Sequence, residues 1–394
     1  MKGKLSLLLL PYFSAVFALF LYSFTQVDLS LTLSRVSFWQ SIQKSFQYIG
    51  FFQRPQSAII FSVILVILFI FYSLFLYLSL KNKISVKTLR LLIAGSFVLL
   101  VFSYNAFSYD LFNYIFDAKI LTFYHQNPFL HKPIDFIGDQ MLNFMRWTHR
   151  FYPYGLSWLF LTVPLSFIGA NIFLFTFFLF KLLMGFSYLG SCFLIYKISE
   201  KIFPENKISN TIFFALNPLV LIEGLVSAHN DMPMIFFTFL AFYLYLNKKG
   251  ALSFFTYVFS AGIKYANLVL APVALYIFIL EKFNKKISWD KIFSLSLALS
   301  FIAVLLATLR TNFQPWYFIL SISTASFIWR KYYVLVSLFL ISVFSSAIYV
   351  PYVFLSDYAK NYPDTIFRLQ EIGVITTISL TVISVILVKI KKTK

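Results

Sequence analysis

Apolar residues run for about 20 positions at a time along much of this chain, and short polar or basic stretches interrupt them. A helix of that length crosses the hydrocarbon core of a bilayer. The runs and breaks predict spans near 5–25, 57–80, 91–108, 171–196, 210–227 and 232–247, two short ones within 251–280, and then 292–309, 316–329, 332–355 and 372–390. The pattern is that of an all-α, polytopic helical membrane protein with about 12 transmembrane helices. The apolar stretch 153–168 begins among prolines and ends at Gly169 without a flanking charge. It reads as a dipping or interfacial half-helix. The first apolar run is long for a signal peptide and lacks a small-x-small end, so it reads as a retained span.

Composition agrees with the pattern. The chain is 60% hydrophobic and 12% charged, with 52 Phe among 394 residues. A soluble domain carries about twice that charged fraction. The net charge of +19 raises the question of nucleic acid, but the basic residues sit in short clusters between apolar runs. With the N-terminus inside, 21 Lys and Arg fall on the cytoplasmic side and 10 outside. That bias orients spans and predicts no nucleic-acid partner. It also favours the half-helix at 153–168, because a full crossing there would move the later clusters outside. Cys192 is the only cysteine, so no disulfide forms within the chain, and in its apolar run it reads as a packing residue.

Under this topology the unusual polar residues gather on the non-cytoplasmic face. His125, His131, His149 and His229 all fall there, and the loop 108–150 adds Asp110, Asp117, Asp135 and Asp139. A second outer connection reads LVSAHNDMP, with His229, Asn230 and Asp231. A third reads LRTNFQPWYF, with Arg310, Gln314 and Trp316. Lys264 lies in SAGIKYANL, where parity turns the chain near the outer surface. Asp110, Asn113, Tyr114 and Asp117 share one helical face, and Leu111, Phe112, Ile115 and Phe116 cover the other. This predicts a short amphipathic helix lying on the membrane. Plainer readings exist for each group: Asp110 as a helix cap, Asp231 as a helix start before Pro233, Lys264 as a snorkelling cation and Arg310 as an outer flank. Lys181 reads as a snorkelling or helix-pairing residue without a chemical role. Ionisable residues at membrane depth usually mark function, and here several occur together.

Several chemistries lack their motifs. There is no phosphate-binding Gly-rich Lys loop, no His-Glu-x-x-His, no Gly-x-Ser-x-Gly elbow and no cytoplasmic Asp-x-Asp pair. An outer carboxylate pair remains, Asp110 and Asp231, with the cations Lys264 and Arg310. A carboxylate can take a proton from an attacking sugar hydroxyl, and cations can stabilise a departing phosphate. Trp and Tyr offer flat surfaces for sugar rings and for membrane anchoring. A site facing away from nucleotide pools would receive its activated sugar on a lipid phosphate.

The segments FSYDLFNYIFDAK, QNPF, YPYGLSWLFLTVPL, LNPLVLIEGLVSAHNDMPMIFFTFLAFYLYL, AGIKYANLVLAPVAL and QPWYF, read in order, resemble the GT-C class of integral-membrane glycosyltransferases. Within that class they are most similar to the polyprenyl-phospho-mannose-dependent mannosyltransferases, over about residues 90–320. The resemblance implies two leading helices in 1–90, a catalytic membrane core in 91–330 and C-terminal helices in 331–394. It implies inverting glycosyl, specifically mannosyl, transfer from a polyprenyl-phosphate sugar donor to a hydroxyl of a glycan or glycolipid acceptor. Asp110 and Asp231 would be the catalytic residues, Asp110 as the general base and Asp231 as the second-loop acid that helps shape the site. Tyr109, Asn113, His229, Asn230, Lys264, Tyr265, Arg310, Gln314 and Trp316 would bind substrate; Lys264 falls in an Ile-Lys-Tyr stretch like that of the subgroup, and its positive charge, rather than the resemblance, suggests contact with the phosphate. The first loop carries Tyr109, Asp110 and Leu111 where the class has a paired acidic dipeptide. No metal ligands are therefore assigned and no cofactor is required, although a divalent metal is compatible. The implied location is multi-pass in the plasma membrane, among membrane lipids, with the site on the non-cytoplasmic face. The alternative reading is a polytopic transporter or lipid flippase, since broken helices and intramembrane charges suit carriers.

Overall fold

The computed structural model describes residues 2–393, with side chains described from 7 to 390. The terminal lysines counted in the charge bias, Lys2, Lys4, Lys391, Lys392 and Lys394, have side chains outside that range. The described chain is helical with no strand. In order come α1 (Lys2–Ser23), α2 (Ser37–Gln47), α3 (Arg54–Leu80), α4 (Val86–Leu100), α5 (Asp110–Thr122), α6 (Leu156–Ile168), α7 (Phe173–Ile202), α8 (Lys207–Ala215) and α9 (Pro218–Val220). There follow α10 (Asp231–Leu246), α11 (Gly250–Ile263), α12 (Ala271–Lys282), α13 (Trp289–Thr311), α14 (Ile319–Ala325), α15 (Tyr332–Ala347), α16 (Tyr349–Leu355) and α17 (Tyr362–Thr393).

Seven described helical stretches are long and apolar enough to cross a bilayer, or eight if the pair Pro204–Ala215 and Pro218–Val226, bent by 53°, counts as one span. The remaining apolar runs of the expected twelve form the shorter helices α4, α10, α11 and α14. The count differs from the sequence reading for a geometric reason. A helix rises about 1.5 Å per residue, so 14 to 16 residues fall short of the roughly 30 Å hydrocarbon core. The stretch at 153–168 becomes α6, of only 13 residues, which ends where expected before Gly169.

The chain divides into two compact units. The first comprises Met1–Ser57, Ala94–Ser191 and Leu221–Tyr265; the second comprises Ala58–Ile93, Cys192–Val220 and Ala266–Lys394. Oily surfaces alone do not hold helices together in lipid, so close approach and interhelical hydrogen bonds matter. In the first unit Tyr12 and Ser96 hydroxyls meet at 2.7 Å, and a Cβ on Gly95 would lie 2.3 Å from the Phe13 ring. In the second, the Tyr72 hydroxyl donates to the Phe213 carbonyl at 2.9 Å. The Asn217 amide there reaches Ser342 at 3.0 Å, and Trp329 Nε1 reaches Asn210 at 3.1 Å. Helices α13, α15 and α17 line an apolar cavity of about 640 Å³.

Two features of the first unit set up its polar centre. Helix α10 pairs with α11, and α6 packs against both α5 and α11. Behind the break at Pro218 the chain winds as a π-helix over Leu221–Val226, a form that concentrates at functional sites. It then turns through Ala228 at φ 60°, a left-handed conformation that costs a non-glycine residue, before α10 starts at Asp231.

Helix α5 forms where the 0, 3, 4, 7 spacing places it, but it does not lie on a membrane with one wet face. Asn113, Tyr114 and Asp117 are as buried as Leu111, Phe112, Ile115 and Phe116. The loop after α5 folds over the polar face and supplies partners: the Asn113 amide donates to the Arg146 carbonyl at 2.6 Å. Lys181 does not snorkel either. It is fully buried and donates to the Ser103 hydroxyl and to the carbonyls of Leu225 and Val226. Those carbonyls end the π-helix, where no helical N–H is left to serve them.

Candidate functional site

Asp110 and Asp231 each occupy the first residue of a helix, α5 and α10. The exposed N–H groups there carry partial positive charge, which favours a carboxylate. Neither acts as a side-chain cap of its helix; the capping positions belong to Tyr109 and Asn230. The plain capping reading of Asp110 is thereby set aside, while Asp231 does open a helix with Pro233 in its first turn.

His229 joins the acids. Its Nδ1 lies 3.6 Å from Asp110 Oδ2, and its Nε2 lies 3.2 Å from Oε2 of Glu223, with His229 and Glu223 fully buried. Burial opposes ionisation of Asp110, but His229, with Arg150 and Lys264 farther out, outweighs it and holds the carboxyl below its ordinary range. Burial likewise opposes the charged imidazole, and the two acids overcome it, pushing His229 up to about 9. Asp117, one turn or two along α5, has no such counter-ion close by. Burial, opposed by Arg150 and reinforced by Asp110, pushes it up to about 7.

Lys264 follows α11 in an extended conformation and ion-pairs with Asp231, Nζ to Oδ2 2.5 Å. Its ammonium is thus anchored within the site rather than snorkelling. The Tyr114 hydroxyl donates to Asn230 Oδ1 at 3.4 Å, and the Tyr114 ring meets those of Tyr154 and Trp158 edge-on. Among the described residues, several buried polar atoms of this region find no hydrogen-bond partner: Asn113 Oδ1, Arg150 Nη2, Trp158 Nε1 and Asn230 Nδ2. Such atoms are costly unless something else satisfies them, and donors and acceptors of this kind suit a polyhydroxyl ligand.

The first unit therefore brings together Asp110, Asn113, His229, Asn230, Asp231 and Lys264. Tyr109 stands at the edge of the group. Its hydroxyl donates to Asp28 at 3.3 Å and its ring lies 4.4 Å beneath the Arg146 guanidinium. Tyr265 follows Lys264 and is exposed. Arg310, Gln314 and Trp316 belong to the second unit, at the end of α13 and the turn after it. The other histidines are peripheral: His125 and His149 are exposed, and His131 pairs with Asp135 at 3.7 Å on the surface. Asp139 is structural, binding Lys119 at 2.5 Å and capping Met141. A cavity of the first unit, about 1040 Å³ and lined by Arg35, Lys119, Asp139 and Asn171 among others, opens beside Ile115, Lys119 and Thr122 of α5 and is not lined by Asp110 or Asp231. Among the described residues, no group of three or more His, Cys, Asp and Glu side chains could hold a metal ion.

Sequence reasoning passed over Glu223, Arg150 and Tyr154. Glu223 could have been found, as the one acid within the apolar run 210–227. Arg150 and Tyr154 carry no signal in a polar loop; only the folding of that loop onto α5 brings them in.

Seven described helices of membrane-spanning length, together with a match to a mannosyltransferase family model, make the chain a polytopic helical membrane glycosyltransferase, the class that the sequence motifs resemble. Within that class the chain belongs to the MptA_B family. The family model, described as alpha-(1->6)-mannopyranosyltransferase, N-terminal domain, matches residues 26–280. The match spans every residue of the cluster and stops before Arg310, Gln314 and Trp316. No curated protein and no solved structure matches the chain.

Proposed function

We propose that this mannosyltransferase moves a mannosyl unit from a polyprenyl-phosphate donor to a hydroxyl of a glycan or glycolipid, with inversion, at the non-cytoplasmic face of the plasma membrane. The family's name favours an α-(1→6) linkage. The core at 91–330 would carry the reaction. The observation that carries the reading is Asp110, a partly exposed carboxylate at a helix start, kept ionised beside His229 with Arg150 and Lys264 near.

Asp110 accepts the proton of the acceptor hydroxyl as that oxygen attacks the anomeric carbon. The bond from that carbon to the phosphate oxygen breaks, and the electron pair leaves on the phosphate. A phosphate is a good leaving group, so a base of low basicity suffices late in the step. Lys264, with one donor on Asp231 and others to spare, and Arg150, through Nη2, stabilise the leaving phosphate. Asn230 Nδ2, Asn113 Oδ1 and the Tyr114–Trp158 wall receive the sugar hydroxyls and apolar faces.

The test is transfer of radiolabel from polyprenyl-phosphate mannose into the glycolipid fraction of native membranes containing the protein. Asp110→Asn abolishes transfer while expression and thermal stability stay near wild type, and Asp231→Asn reduces it strongly. Full activity of Asp110→Asn rules out the base assignment.

A further inference from the structure

The transfer step leaves one buried acid without a task. Glu223 lies in the π-helix, fully buried, and faces one nitrogen of His229 while Asp110 faces the other. A neutral imidazole has one N–H and one lone pair, so between two carboxylates it turns a lone pair on one of them. Only the doubly protonated ring presents an N–H and a positive charge to the acid on each side, across ion-pair separations of 3.6 and 3.2 Å. We propose that Glu223 is a positioning residue that keeps His229 an imidazolium, and that this imidazolium fixes the Asp110 carboxylate in its orientation and ionised state. The proposal rests on Asp110 being the base.

The backbone is built for the pairing. The His229 N–H returns to the Glu223 carbonyl at 3.0 Å, so one residue holds both the main chain and the ring of the other. Ala228, in its left-handed conformation, makes that return, and Lys181 ties down the intervening carbonyls of Leu225 and Val226. Of the charged and titratable groups nearby, Asp110 and Glu223 face the ring itself. The others act on Asp110 or lie next to it: Arg150 of the loop before α6 and Lys264 after α11 act on its charge, Tyr114 and Asp117 of α5 and Tyr154 before α6 feel that charge, Asp231 of α10 is paired with Lys264, and Lys181 of α7 is spent on the Leu225 and Val226 carbonyls. The two flanking acids outweigh the burial that opposes a charged ring, in keeping with a ring pushed up to about 9. The device is not a proton relay. His229 already carries both protons, so the proton taken from the acceptor stays on Asp110 and leaves to water, which an acid of lowered pKa allows readily.

Glu223→Gln keeps the shape and removes the charge. It lowers the transfer rate at pH 7.5 by about 10- to 100-fold, a part of what a positioned base contributes. The alkaline fall of the rate moves down by at least about one pH unit, and the donor KM changes little. Glu223→Asp, which keeps the charge, recovers part of the rate. A packing role gives the reverse order, with the Gln variant near wild type and the Asp variant impaired, and that order overturns the proposal. ¹⁵N-histidine NMR of the detergent-solubilised wild type tests it without any buried variant. Of four histidine signals, the one lost in His229→Gln remains an imidazolium above pH 8, and titration of that signal near 6.5 overturns the proposal. Full activity of Asp110→Asn would instead sink the base reading; an inactive Asp110→Asn with a silent Glu223→Gln sinks the positioning role alone.

Discussion

The start of α6 and the end of α11 touch backbone to backbone at a glycine pair, and Lys264 hangs two residues beyond the contact. A Cβ on Gly155 would lie 2.3 Å from the Gly262 carbonyl oxygen, 2.9 Å from its carbon and 3.0 Å from its Cα. None of these atoms is the end of a flexible side chain. Real Cβ atoms keep about 3.0 Å or more from their neighbours, so Gly155→Ala must part the two backbones by at least about 0.7 Å. The added methyl costs about 1–3 kcal/mol as overpacking. Loss of glycine freedom in the unfolded chain, about 0.4–1 kcal/mol, offsets only part of it. The larger effect falls on the site. Lys264 reaches Asp231 at 2.5 Å, and a displacement near 1 Å costs a positioned group about 100-fold in rate. Gly155→Ala is therefore expected to lose about two orders of magnitude in mannosyl transfer with a modest drop in thermal midpoint in detergent. Gly250→Ala, at the other end of α11 with nothing within 4 Å, is the control and stays at wild-type rate. A Gly155→Ala protein matching wild type in both rate and midpoint refutes the reasoning.

Other outcomes follow from the same geometry. Lys181→Met strands the buried carbonyls of Leu225 and Val226, each at about 1–3 kcal/mol, while relief from burying an ammonium returns part. A net loss of stability is expected, and a variant as stable as wild type on thermal unfolding contradicts it. Burial raises Asp117 from 3.8 to about 7, so the folded state holds its proton more tightly than the unfolded one. That contribution to stability is full below the unfolded value and is lost as pH climbs through about 7. Asp117→Asn should flatten the slope of thermal midpoint against pH between those limits; an unchanged slope assigns the titration elsewhere. Lys264→Met should raise the donor KM more than the acceptor KM, and an unchanged donor KM counts against a phosphate role.

The sequence and the structure divide the explanation unevenly. Apolar runs show where helices lie, because a chain in lipid must satisfy its own backbone, and each of the twelve runs contains helix. They do not show how many helices reach across, since hydropathy is blind to where a short helix is stopped. The acids at 110 and 231 stand out because so oily a chain carries few charges. Asp117 stands out equally, yet without a counter-ion in contact its burial pushes its pKa up where that of Asp110 is held down.

By itself, the sequence determined the membrane class, the helical segments and the family motifs, all of which are written in composition and order along the chain. Tertiary structure alone decided which polar groups meet. His229 faces Glu223 because a π-helix and a left-handed turn bend the chain back on itself. Arg150 reaches α5 because a loop closes over it, and Lys181 turns inward to two carbonyls that a helix end left bare. Those choices depend on distances of a few ångströms between residues far apart in order, and electrostatics in a buried, low-dielectric interior makes such distances decisive.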